Sequence, residues 1–200
     1  MDDETWTSDE FGSSHEGRVG VLLADGKVPK PVYFDGSSGT GRDVRHWSVY
    51  DGGTPLSQRP RAAVLHAECA CGWTGPHHII DETVAGDRPF REAGADAADR
   101  CVDDWDRHIA HVGDTTVPLP VELEILLENV TAAIEALTQE SPIAAIKAAR
   151  RLEVIAQRTA HWPSHKAREQ EPETVAAALG LNVKQTRTLL ARFGGWSPYS

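Results

Sequence analysis

The apolar residues of this 200-residue chain change their spacing partway along, and that change limits what the chain can fold into. Over residues 61–73, Leu65, Ala67, Cys69, Cys71 and Trp73 alternate with His66, Glu68 and Ala70, the period of a strand with two different faces. Over residues 91–112, Ala97, Ala98, Cys101, Trp105, His108 and Val112 recur on one stripe at helical spacing, with Gly94 on that stripe weakening the helix near its start. Shorter strand signals lie at residues 18–23, at Val32-Tyr33-Phe34 after the hairpin turn signal Asp25-Gly26, and at residues 47–50 before Asp51-Gly52-Gly53. Residues 36–41 read as a flexible loop, and a polar loop runs past Gly75-Pro76 and Gly86-Asp87. Residues 18–113 therefore predict a small antiparallel sheet covered by one helix, an α+β unit.

The flanks differ. Residues 1–17 hold six acidic groups, no basic one, and only Trp6 and Phe11 as large aromatics, so disorder is expected there. Residues 115–120 form a linker with two prolines. Past it, Leu123, Leu126, Leu127, Val130, Ile134 and Leu137 lie on one side of a helix that runs to about residue 138. Ser141-Pro142 starts another helix as N-cap and first-turn proline; it is expected to run to about residue 160 and to break at Pro163. Residues 119–200 thus read as an all-α bundle. The apolar face of residues 119–138 is near-heptad in spacing, so it suits either packing on helix 141–160 or pairing of two chains as a homodimer.

Charge is distributed unevenly. Residues 141–200 carry nine Lys/Arg against four Asp/Glu, a local +5, while residues 1–140 carry −15, giving the net −10. A local basic segment attracts phosphate even on an acidic protein, although a solvated helical face has the same composition. No run of eighteen apolar residues occurs, so no membrane partner is expected. The acidic N-terminus lacks an apolar signal segment, and the expected location is the cytoplasm, where Cys69, Cys71 and Cys101 stay reduced. Arg outnumbers Lys fifteen to five, a usage that resembles actinobacterial proteins.

Residues 171–194 have the layout of two short helices about a glycine turn. Pro172 opens the first, Val175 and Leu179 face inward together, Ala176 sits at the close approach, and Gly180 makes the turn. Leu181 plugs the core, Asn182 caps the second helix, Leu189 closes it onto the first, and Gly194-Gly195 ends it. The stretch from Thr174 to Leu181 resembles the helix-turn-helix family of bacterial DNA-binding proteins, and residues 141–146 resemble the first helix of such domains. The likeness covers about a quarter of the chain. It implies double-stranded DNA as partner, with Val183, Lys184, Arg187 and Thr188 toward the major groove and Asn182 and Arg192 toward phosphate. Gln185 is a weaker member of that set. Two departures stand out: Thr186 where the family usually has Val or Ile, and Pro163 within residues 161–170. A ligand-free helical hairpin would carry the same turn.

The thiols of Cys69 and Cys71 fall on one strand face and suit zinc, with histidines completing a structural site. Cys101 and His108 share a helix face but lie about 10 Å apart along the axis, too far for one ion. His108 and His111, three residues apart, can converge. The expected set is Cys69, Cys71, His108 and His111, with His77 and His78 as spare candidates; plain core packing of the thiols is the alternative. The run from Cys69 to Trp73, followed by Trp105 and His108, resembles a pattern in actinobacterial proteins of uncharacterised type. No G-x-S-x-G elbow, P-loop or dinucleotide fingerprint occurs, and Asp103, Asp104 and Asp106 are expected on a solvated face, so no enzyme is expected. The reading is a transcriptional regulator or accessory DNA-binding protein; the alternative is a protein–protein adaptor that contacts basic partners through its acidic front.

Overall fold

A computed structural model describes residues 4–35, 41–54, 57–80 and 89–195. The architecture is α+β, and the chain divides into two compact units, Met1–Asp114 and Thr115–Ser200. Residues 36–40 and Gly86-Asp87, both read as loop, lie outside the described residues.

The first unit is built on a four-stranded antiparallel sheet in the order β1 (Thr5–Ser8), β2 (Gly12–Leu22), β7 (Val64–Cys69), β8 (His78–Ile79). Two small antiparallel pairs accompany it: β3 (Val32–Phe34) with β4 (Arg42–Val44), and β5 (Asp51–Thr54) with β6 (Ser57–Arg61). Helix α1 (Phe90–Thr115) turns Ala97, Ala98, Cys101 and Trp105 into a core shared with Val21, Leu65, Ala67 and Trp47.

Several expectations are corrected here. The segment expected to be a disordered tail over residues 1–17 is ordered from residue 4 on: β1 and the first half of β2 occupy it. His15 and Gly17 alternate inward against Glu16 and Arg18 outward, and Trp6 packs on Trp105 at 5.8 Å. The acidic side chains Glu4, Asp9, Glu10 and Glu16 stay exposed, so the charge run does not oppose folding. Val32–Phe34 pairs with β4 rather than returning on β2. Residues 47–50 form a 3-10 turn, Trp47–Val49, because the His46 ring accepts the Ser48 N–H and Trp47, Val49 and Tyr50 are all buried, which a two-faced strand does not allow. The long strand 61–73 is divided: Ala62 bonds Tyr50, Ala63 bonds Leu22, and after Cys69 the chain turns, with Gly72 at φ +97° and its N–H on the Cys69 carbonyl. Gly94 does not start the helix weakly; a Cβ there would lie 2.5 Å from the Trp47 ring, so the missing side chain is what lets α1 approach. Asp104 is buried, not solvated, and accepts from His78 Nε2 at 2.6 Å and from Arg107.

The second unit comprises α2 (Val121–Glu140), α3 (Pro142–Ala167), α4 (Pro172–Ala178) and α5 (Val183–Gly194). The Ser141 hydroxyl caps α3 by accepting the Ala144 N–H, as the N-cap reading required. Pro163 does not end α3. It removes one backbone donor, yet the helix continues because its last turns are held by tertiary contact: Ser164 is buried, and Arg168 donates to the Leu190 carbonyl at 2.5 Å. Between α4 and α5, Gly180 takes φ +64°, and the Leu181 N–H reaches back to the Ala176 carbonyl. Asn182 and Gln185 close a reciprocal capping box at the start of α5. Val175 and Ala176 are buried, but Leu179, expected inward, is exposed. Thr186 is fully buried, and its hydroxyl donates to the Asn182 carbonyl at 3.0 Å, so threonine packs here without an unmet polar group. Among the described residues no helix is long and apolar enough to cross a membrane.

Candidate metal centre

Three elements of the first unit converge on one point. The register Gly17↔Cys69 places the preceding residues of β2 beside the turn that follows β7, and the Ala70 N–H bonds the Glu16 carbonyl. That pairing carries His15 to the turn that holds Cys71. Helix α1 brings His108 from the other side, its ring stacked on Trp73 with centroids 4.3 Å apart and planes parallel. The result is a quartet, His15, Cys69, Cys71 and His108, whose ligand atoms all lie within 4.8 Å of one another. Cys69 Sγ is 3.4 Å from His15 Nδ1, and Cys71 Sγ is 3.3 Å from His108 Nε2.

Three of these four residues were expected from the sequence; His111 was not confirmed. Its side chain is exposed. A step of three residues along a helix turns a side chain about 60° away, and with His108 committed to the Trp73 ring, His111 points off the site. His15 takes the fourth place from β2, in the segment expected to be disordered. The signal that locates it is the alternation of His15, Gly17, Val19 and Val21 against Glu16 and Arg18, which extends the β2 pattern back past residue 18. The spare histidines are elsewhere: His78 is held by Asp104 and by Arg100 Nε at 3.2 Å, and His77 is exposed beside His66.

The surroundings are built to hold this geometry. The Trp105 indole N–H donates to the His15 carbonyl at 3.1 Å, so α1 fixes the β2 backbone at the ligand itself. The Trp73 N–H donates to Cys71 Sγ at 3.4 Å, and Gly72 lets the chain turn tightly enough for that bond. The Cys69 thiol beside it is the main reason the Cys71 thiol is lowered below its usual range, with His15, the Trp73 N–H and His108 adding to it against the cost of burial. The same contact raises Cys69. Burial, then the Asp104 charge, pushes the Cys101 thiol up to about 12, consistent with a plain core cysteine outside the quartet. Cys71 is thus the thiol that gives up its proton more readily, with two imidazoles and a second thiol at hand, and the cluster can hold a metal ion.

In the second unit, Lys184, Arg187, Thr188 and Arg192 are exposed on α5, and Val183 is half-buried. Asn182 and Gln185 are engaged in the capping box, and the Thr188 hydroxyl donates to the Lys184 carbonyl. Of the expected DNA-contacting set, the three cations are therefore the side chains with charge directed to solvent. Comparison of the chain with protein-family models, curated proteins and solved structures found no match.

Proposed function

We propose that this protein is a zinc-binding, non-enzymatic protein in which His15, Cys69, Cys71 and His108 hold one structural zinc ion. The observation that carries this is the convergence of two thiols and two imidazoles within 4.8 Å. A tetrahedral zinc with bonds of about 2.3 Å to sulfur and 2.0–2.1 Å to nitrogen separates sulfur from nitrogen by roughly 3.6 Å. The two sulfur–nitrogen distances of 3.3 and 3.4 Å are close to that value. Four protein ligands leave no position for water or substrate, which is the pattern of a structural site rather than a catalytic one. The ion would join β2, the turn after β7 and α1 at a single point. Metal analysis of the purified chain, paired with thermal unfolding with and without a chelator, tests it. About one zinc per chain and a loss of thermal stability on chelation support the reading; less than about a tenth of an equivalent after growth in zinc ends it.

A second reading concerns the other unit: α4 and α5 as a helix-turn-helix that binds double-stranded DNA. It is favoured by Lys184, Arg187 and Arg192, which are exposed and form no ion pair among the described residues. Cations presented this way attract phosphate, and the guanidinium of Arg187 has the paired donors that grip a guanine edge. Replacing Lys184 and Arg187 by alanine should weaken DNA binding and shallow its salt dependence by about two counterions. Unchanged affinity and salt slope would leave the protein–protein adaptor as the account of this unit.

A further inference from the structure

Helix α2 buries none of its residues, although eleven of its twenty are apolar. Leu126 is 59% exposed and Leu127 52%, on the stripe that also holds Leu123 and Val130. At the start of α3, Ile143 is 81% and Ile146 70% exposed. Packing of α2 against α3 within one chain therefore leaves the apolar side of the hairpin open. Weighted by exposure, these six side chains present on the order of 600 Å² of apolar surface, against roughly 500 Å² of apolar area per partner in a standard homodimer interface.

We infer that this face is the interface of a homodimer, in which the α2–α3 hairpins of two chains close into a four-helix bundle. Charge identifies the occupant as a second copy. Helix α2 carries five glutamates and no basic residue, whereas α3 carries five Lys/Arg and a single acid, Glu153. Among the described residues the cations of α3 that form ion pairs do so with Glu153 and Glu169, and none of those residues pairs with a glutamate of α2. A two-fold axis that sets α2 of one chain beside α3 of the other matches acid with base twice, because an isologous interface repeats every contact. An acidic or a basic partner of another kind would complement one helix and oppose its neighbour. The inference is independent of the metal site and of DNA binding.

The test is size-exclusion chromatography with light scattering on the full zinc-loaded chain at micromolar concentration. The expected mass is twice 21.8 kDa for the native chain and 21.8 kDa for Leu126→Glu/Ile146→Glu. Two charge-reversed variants separate pairing from folding: Glu124→Lys/Glu128→Lys on α2, and Arg151→Glu/Arg158→Glu on α3. Each alone should be monomeric, and an equimolar mixture should recover a heterodimer, which variants that had merely unfolded would not form. A monomeric native chain overturns the inference. So do charge-reversed variants that remain dimeric, or that stay monomeric when mixed.

Discussion

Replacing His15 by alanine should weaken metal binding about a hundredfold, while replacing His111 should leave it intact. The contrast is sharp because the two histidines compete for the same role. His15 Nδ1 stands 3.4 Å from Cys69 Sγ in a buried site, whereas His111 is exposed on α1. Zinc binding to four-ligand peptide sites is worth about 10–16 kcal/mol, so one ligand of four accounts for roughly 3 kcal/mol, or about a hundredfold in affinity. Competition against a chromogenic chelator measures this directly. His15 is also buried, and its loss costs packing as well as a ligand. His15→Cys answers that concern, because a third thiolate can ligate where alanine cannot. The expected order is native and His111→Ala equal, His15→Cys close behind, and His15→Ala weaker by about a hundredfold. Equal affinity for His15→Ala and the native chain, or a large loss for His111→Ala, would refute the geometric assignment.

Two further outcomes follow from the packing around the site. Gly94→Ala, which helix propensity alone would make stabilising by about 1 kcal/mol, should instead destabilise by about 1–3 kcal/mol in urea titration, because the added methyl meets the Trp47 ring. Glu68 is held down to about 2 from its ordinary 4.5 by the hydrogen bond to His66 and by Arg18, which donates from Nη2 at 2.6 Å. A depressed carboxylate stabilises the fold above its unfolded value, so the native advantage over Glu68→Gln should be full above about pH 4.5 and vanish as pH falls toward 2, read from urea midpoints across a pH series.

What the sequence made legible was periodic. The alternation that carries Leu65, Ala67 and Cys69 and the stripe that carries Cys101, Trp105 and His108 both appear in the folded core, and with them three of the four convergent ligands. Register was the part it withheld. Local spacing along α1 pointed to His111, because residues three apart on a helix are visibly near; nothing local shows that Gly17 pairs with Cys69 and brings His15 to Cys71. Composition misled at the same place, since six acidic residues suggested an unfolded tail although the period-two pattern continued through it. Pro163 and Asp104 misled for a related reason. Tertiary contact outweighs one missing helix bond at Pro163, and His78 with Arg107 compensates a buried carboxylate at Asp104. In the second unit the turn at Gly180 and the cap at Asn182 were readable because both are local; the outward side of Leu179 was not, because burial depends on which helix arrives.

X-ray absorption at the zinc edge of the metal-loaded chain tests the central claim most directly, since it counts ligands by element. The account predicts two sulfurs at about 2.3 Å and two imidazole nitrogens at about 2.0–2.1 Å, with no light-atom water shell. Three sulfurs would bring Cys101 into the site, and a shell of oxygen and nitrogen alone would place the ion elsewhere; either result contradicts the quartet of His15, Cys69, Cys71 and His108.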